Sequence, residues 1–239
     1  MSYIVKRATA PVALNGDFDN DPQWKNANTI TLSNRMYRKY NIFMKLWRKM
    51  TGAEEREKND PYCPQTELKL LYDDKNIYGL FRVKDQYVRA TAEKYGDQAC
   101  VDSCVEFFIR PANNVRYYNF EFTAGGFMLL YNVTDLRKKK YSAVSEEDCN
   151  TVERWHDLPA IIDPEITEPT TWHLGFTVPI ALFVKLGDEV DGNLSGQTWT
   201  ANVYKCAEFT SHPHWFTWQP IPKLDFHLPA FFGDITFEA

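Results

Sequence analysis

Carboxylates on strand-like runs are the residues of this chain with most chemistry to offer. Glu106 lies within Cys104-Val-Glu-Phe-Phe-Ile109, where strand alternation puts it on one face with Cys104 and Phe108. A carboxylate in such company must be ion-paired, exposed or turned toward a ligand. Asn119 and Glu121 share one face of the neighbouring run Tyr117–Thr123 and extend the same polar surface. Two carboxylates on adjacent strands also approach the separations used in glycoside hydrolysis, about 5 Å or 6.5–9.5 Å. Binding and acid–base cleavage are therefore both open to this surface.

Other potential sites are weaker. His212-Pro-His214, with His227 further on, offers imidazoles, but no third metal ligand is fixed by spacing. Asp73, Asp74, Asp85 and Asp102 supply oxygens of the type calcium needs, without a calcium-loop pattern. The five cysteines are odd in number and lack paired C-x-x-C spacing, so most are expected to be buried thiols. No Ser-His-Asp or Cys-His signature, phosphate loop or dinucleotide fingerprint is present.

These residues must be positioned by β structure. Aromatics make up 15% of the 239 residues, which favours pleated, half-buried surfaces. Alternating runs at Thr66–Tyr72, Ile77–Val83, Cys104–Ile109, Tyr117–Thr123, Phe127–Val133, Thr171–Val178, Thr198–Cys206, Trp215–Trp218 and Asp234–Phe237 are separated by turn residues. Trp215 alternates with Phe216 and so faces the opposite way from it. The pattern predicts an all-β fold, a two-sheet antiparallel β-sandwich with one or two short inserted helices. Helical spacing of Ile42, Phe43, Leu46, Trp47 and Met50 predicts an insertion over 41–58, and Pro179–Leu186 reads as a second helix. Without repeats or a low-complexity linker, a single domain over 1–239 is expected.

Composition narrows the function classes. A net charge of −5, with only the short basic run Arg137–Lys140, argues against nucleic acid. No apolar stretch reaches the roughly 20 residues needed to span a bilayer, so no membrane association is expected. The N-terminal residues lack a signal-like apolar core, which favours the cytoplasm unless a signal has been removed.

The order of motifs resembles the family-9 carbohydrate-binding modules and the wider DOMON-like sandwiches. The resemblance is carried by Val12 to Trp24, Leu70 to Tyr78 followed by Phe81 to Asp85, and Asp102 to Ile109. It continues through Trp199 to Cys206, Trp218-Gln-Pro220 and Asp225 to Gly233. It implies non-catalytic binding of oligo- or polysaccharide, often at chain ends, in support of carbohydrate catabolism. Glycoside hydrolases acting in trans are the implied partners; no cofactor is required, structural calcium being the one the resemblance admits. Glu106 falls where the family grips sugar hydroxyls, and Phe226 at a stacking tryptophan's position with His227 beside it. Asn119, Glu121 and Trp215 complete the expected carbohydrate-binding set. Cys100 stands where a second stacking tryptophan would fall, leaving Trp155 or Tyr95 as substitute rings. A DOMON-like relationship also admits haem-binding electron transfer, with Met128 or Met44 paired to His214 or His227. A glycoside hydrolase built on Glu106 and Glu121 is the third reading.

Overall fold

In the computed structural model the structure describes residues 2–37, 62–112, 114–135, 140–190 and 192–239, with positions 43, 46, 49 and 50 in isolation. The strands, in chain order, are β1 (Ser2–Arg7), β2 (Thr29–Thr31), β3 (Asn34–Met36), β4 (Gln65–Tyr72), β5 (Asn76–Asp85), β6 (Val88–Ala90), β7 (Cys104–Arg110) and β8 (Tyr117–Thr123). They continue with β9 (Met128–Asp135), β10 (Lys140–Ala143), β11 (Glu153–His156), β12 (Ile162–Ile166), β13 (Thr170–Pro179), β14 (Thr198–Ala207), β15 (His214–Thr217) and β16 (Gly233–Phe237). Among the fully described segments three short α-helices accompany them: α1 (Pro22–Asn26), α2 (Glu146–Cys149) and α3 (Ile180–Lys185), the last following Pro179 where a helix was expected. The expected helix over 41–58 lies almost wholly outside the described residues; Phe43, Leu46, Lys49 and Met50 are helical.

One sheet runs β10-β9-β8-β7-β14-β16-β1, and the other β1-β4-β5-β13-β11. Most pairings are antiparallel, as alternation predicted. β1 is the exception, because it pairs parallel with both neighbours. Its residues Ser2–Val5 join β16, while Lys6 and Arg7 join Leu71 and Tyr72 of β4. The two faces of the sandwich are thereby one continuous curled sheet, hinged on β1. β6 and β12 form a separate small sheet.

The core lies between the two halves. Phe107 on β7 and Phe122 on β8 each stack on Phe176 of β13, with ring centroids 5.7 and 5.0 Å apart. Phe176 needs a glycine opposite it: a Cβ on Gly79 would come within 2.1 Å of its ring. One polar cluster is buried with these rings. The Lys205 Nζ lies 3.4 Å from Asp85 Oδ2 and 2.8 Å from His214 Nε2, all three residues being almost fully buried. Asp85 also accepts from Trp172 Nε1 (3.2 Å), the Gln86 amide (2.9 Å) and Tyr62. Burial opposes ionisation of Asp85, but Lys205 and these donors outweigh it and hold its pKa below the usual range. Burial and the adjacent ammonium push His214 down to about 3, so its neutral ring accepts from Lys205 and donates to the His212 carbonyl.

This ion pair links β5 to β14 across the sandwich. Lys205→Ala should cost about 3–5 kcal/mol by leaving Asp85 buried without its cation. Urea unfolding measures this, and an Asp85→Asn/Lys205→Met double variant should recover much of the loss.

Candidate functional site

The face of the β7-containing sheet that turns away from the core is not uniformly polar. Alternation sends Val105, Phe107 and Ile109 inward and Cys104, Glu106 and Phe108 outward. Register then aligns side chains across strands. Glu106 lies opposite Glu121 on β8 and Tyr204 on β14, and Phe108 lies opposite Asn119. Loops 98–103 and 219–232 cover this face and leave a cleft of about 660 Å³. Glu106, Asn119, Glu121, Trp215, Phe226 and His227 all line it, so the six residues singled out in the sequence come together.

Both loops are pinned from below. Asp102 fixes the first: its carboxylate accepts from the Thr91 and Ala92 amides (2.7 and 2.8 Å), the Thr91 hydroxyl (3.0 Å) and Arg89 (3.1 Å). Tyrosines on the sheet hold the second. The Tyr204 hydroxyl donates to the Phe226 carbonyl (2.9 Å), and the Tyr117 hydroxyl hydrogen-bonds His227 Nδ1 (2.6 Å). Phe226 stacks on Tyr204 with centroids 4.1 Å apart and planes 13° from parallel, remaining half-buried. Tyr204 was not anticipated as a site residue; its alternation with Cys206 on β14 was the available signal.

Glu106 and Glu121 form the floor. Glu106 is 2% and Glu121 7% exposed. Glu106 Oε1 accepts from the Cys206 thiol (3.1 Å), and Glu121 Oε1 accepts from Asn119 Nδ2 (2.7 Å). Asn119 Oδ1 is buried without a hydrogen-bond partner. Burial pushes the Glu106 pKa well above the usual carboxylate range, and the neighbouring Glu121 adds to the shift. Burial likewise pushes Glu121 up to about 7, opposed by the Asn119 donor. Glu208 and Asp225 also line the cleft, while no lysine or arginine among the described residues does.

Aromatic rings flank the acids on both sides. Tyr204, Phe226 and Trp215 lie toward β14 and β15. Tyr131 on β9 and Tyr141 on β10 lie toward the other edge, 6.2 Å apart. Trp215 is only 5% exposed and serves mainly as wall. Cys100 lines the cleft, as its place in the chain implied. Of the two suggested substitute rings, Tyr95 borders a separate pocket and Trp155 packs against Gly16, so neither reaches this cleft.

The metal and haem candidates fare differently. Asp85 and Asp102 accept from protein donors as described, Asp74 pairs with Arg7, and Asp73 accepts from the Lys75 and Asn76 amides of its own turn. Asp73 and Asp85 sit at opposite ends of β5, roughly 30 Å apart, so the four do not fit one calcium site. His212 stacks on Tyr87 at 3.6 Å, and His214 has both nitrogens engaged inside the sandwich. Met44 lies outside the described residues.

The sequence profile of carbohydrate-binding family 9 matches residues 51–237. No curated protein matches the chain. A protein from Bacteroides uniformis ATCC 8492, provisionally described as carbohydrate-binding, has a crystal structure matching at TM-score 0.79 and 27% identity, over 99% of each chain. Family-9 modules from Caldicellulosiruptor kristjanssonii share the fold. The cellotriose complex matches at TM-score 0.61 and 10% identity, over 100% of this chain and 94% of that one. The glucose complex matches at 0.56 and 12%, over 99% and 96%.

The buried acid pair makes stability depend on pH. Glu121 has a reference pKa of 4.5 and a folded pKa of about 7. Between these values the folded chain holds more protons than the unfolded one, so the Glu121 contribution declines as pH rises through that window. Glu121→Gln should therefore gain on the wild type by up to about 3 kcal/mol between pH 5 and pH 8, read by urea unfolding. A stability gap independent of pH would contradict the assignment.

Proposed function

The chain belongs to carbohydrate-binding family 9, and on that premise we propose that its cleft binds neutral oligo- or polysaccharide without cleaving it. The observation that carries this reading is the pair of facing carboxylates, Glu106 and Glu121, set on the floor between aromatic rings. A pyranose has apolar C–H faces and a polar equator, which suit rings beside and acceptors beneath. Asn119, Glu121 and Glu106 are placed to hold hydroxyls; Phe226, backed by Tyr204, supplies a ring for stacking, with His227 beside it. Tyr131 and Tyr141 face it as the second aromatic side and replace the ring missing at Cys100. The acidic lining, to which no lysine or arginine among the described residues contributes, disfavours uronic or sulfated sugars. The relatives that bind cellotriose and glucose support a neutral glucan as the first ligand to test.

Hydrolysis is the reading against which this one must be weighed, since the same two glutamates would carry it. A glycosidase keeps one carboxylate ionised while the other carries a proton. Here burial raises both, and among the described residues no neighbouring cation holds either one ionised. That favours binding, in the service of hydrolases acting in trans during carbohydrate breakdown.

Calorimetric titration with cello-oligosaccharides should show binding, with Phe226→Ala weakening it by roughly 1–2 kcal/mol, about 5- to 30-fold. Glu106→Ala should weaken it further. Unchanged affinity in both variants overturns the site, and release of reducing sugar on prolonged incubation overturns the non-catalytic reading.

A further inference from the structure

The cleft floor holds a second cluster, built on Glu106 and two thiols that the sugar-binding reading leaves unused. Cys104 on β7 lies directly opposite Cys206 on β14, and Glu106 follows Cys104 by two positions. All three side chains therefore rise from one face of the sheet. The two thiol sulfurs and a Glu106 carboxylate oxygen lie within 4.8 Å of one another, and the residues are 0, 1 and 2% exposed. A tetrahedral zinc ion, with sulfur at about 2.3 Å and oxygen at about 2.1 Å, needs donor atoms about 3.6–3.8 Å apart. Small side-chain adjustments reach that spacing.

Charge points the same way. The other buried carboxylates each have a basic partner: Asp85 has Lys205 (3.4 Å), Asp102 has Arg89 (3.1 Å), Asp148 has Lys185 (2.5 Å) and Asp188 has Arg116 (3.3 Å). Among the described residues Glu106 and Glu121 have none, and they stand beside each other. The floor thus concentrates two carboxyls and two thiols where none of the described lining residues is a lysine or arginine. We propose that Cys104, Glu106 and Cys206 form a site for a thiophilic divalent cation of the zinc type, with its fourth position open to the cleft. Two sulfur donors select such an ion over calcium or magnesium. Glu106 and Cys206 both line the cleft, which gives the ion its entry and lets water or a ligand hydroxyl complete the tetrahedron.

Binding forms two metal–sulfur bonds and one metal–oxygen bond, and it displaces the protons of both thiols and of Glu106. Burial pushes Cys104 up to about 12, and the contact with Cys104 and burial push Cys206 higher than usual, so those protons leave only in exchange for the metal. Affinity therefore rises with pH. The site does not rest on the sugar reading, since a metal titration proceeds without any sugar.

The test uses the full chain, reduced with a phosphine, stripped with chelator and titrated with Co²⁺ as a spectroscopic probe, then with Zn²⁺ in competition. One ion per chain is expected, with a thiolate-to-cobalt charge-transfer band, tetrahedral visible bands and tighter binding between about pH 6 and pH 8. Cys206→Ser and Glu106→Gln should each weaken binding by roughly 100-fold or more, beyond the 10- to 100-fold typical of outer-shell partners. Replacing the exposed Cys63 by serine should change nothing. Glu106→Gln, close in shape to the wild type, serves if the cysteine variants do not fold. Absence of the charge-transfer band in wild type, or its persistence in Cys206→Ser, overturns the site.

Discussion

The cleft depends on the register of β7 between β8 and β14. Strand side chains alternate with a period of two, so a slip of one residue would exchange the two faces of β7. Val105, Phe107 and Ile109 would leave the core, and Glu106 would enter it. The register is held from the inside by aromatic stacking on Phe176, which tolerates no side chain at position 79. Core packing thereby dictates the positions of Glu106, Asn119 and Glu121 on the opposite surface. Site and core are two sides of one set of strands.

That outer surface is unusual for a sandwich, because most of it is apolar. Cys104, Leu129, Cys206 and Trp215 form one buried cluster on it, and Phe108, Tyr117, Val133 and Tyr204 form another. Both are roofed by loop residues, with Phe226 and Tyr131 packing against each. The carboxylates lie between these clusters on the floor of the cleft that the loops enclose. Their burial is a consequence of the roofing, and their raised proton affinity is a consequence of the burial. The loops thus create the electrostatics of the site as well as its shape.

Much of this was legible in the alternation. Strand runs of aromatic and β-branched residues located β4, β5, β7, β8, β13 and β14 to within a few residues, and the shared face of Asn119 and Glu121 followed from period two. The role of β1 was not legible, because six residues at a terminus carry no sign that they pair parallel with strands on both halves of the sandwich. Lys205 was hidden for a related reason. A lysine within a strand reads as an outward-facing residue, and only the tertiary placement of Asp85 and His214 makes its inward position stable. Tyr131, Tyr141 and Tyr204 escaped because their participation depends on which strands are neighbours. Cys100 departs from the family pattern in the sequence itself, whereas the rings of Tyr131 and Tyr141 that line the same cleft could be placed only from the sheet order.

The buried charges divide into two classes with opposite consequences. Asp85 is neutralised by Lys205 across the sandwich, and Asp102 by Arg89 and three further donor contacts at a loop base. Such groups are satisfied within the fold and fix its geometry. Glu106 and Glu121 differ, since their hydrogen bonds come from a thiol and an amide and bring no positive charge. A buried carboxylate without a cation keeps its proton or takes a cation from outside. Among the described residues the buried aspartates are balanced by a cation within the fold, and the glutamates on the cleft floor are not. The same imbalance that suits the pair to hydrogen-bonding hydroxyls in the protonated state suits Glu106, with Cys104 and Cys206, to exchange those protons for a metal.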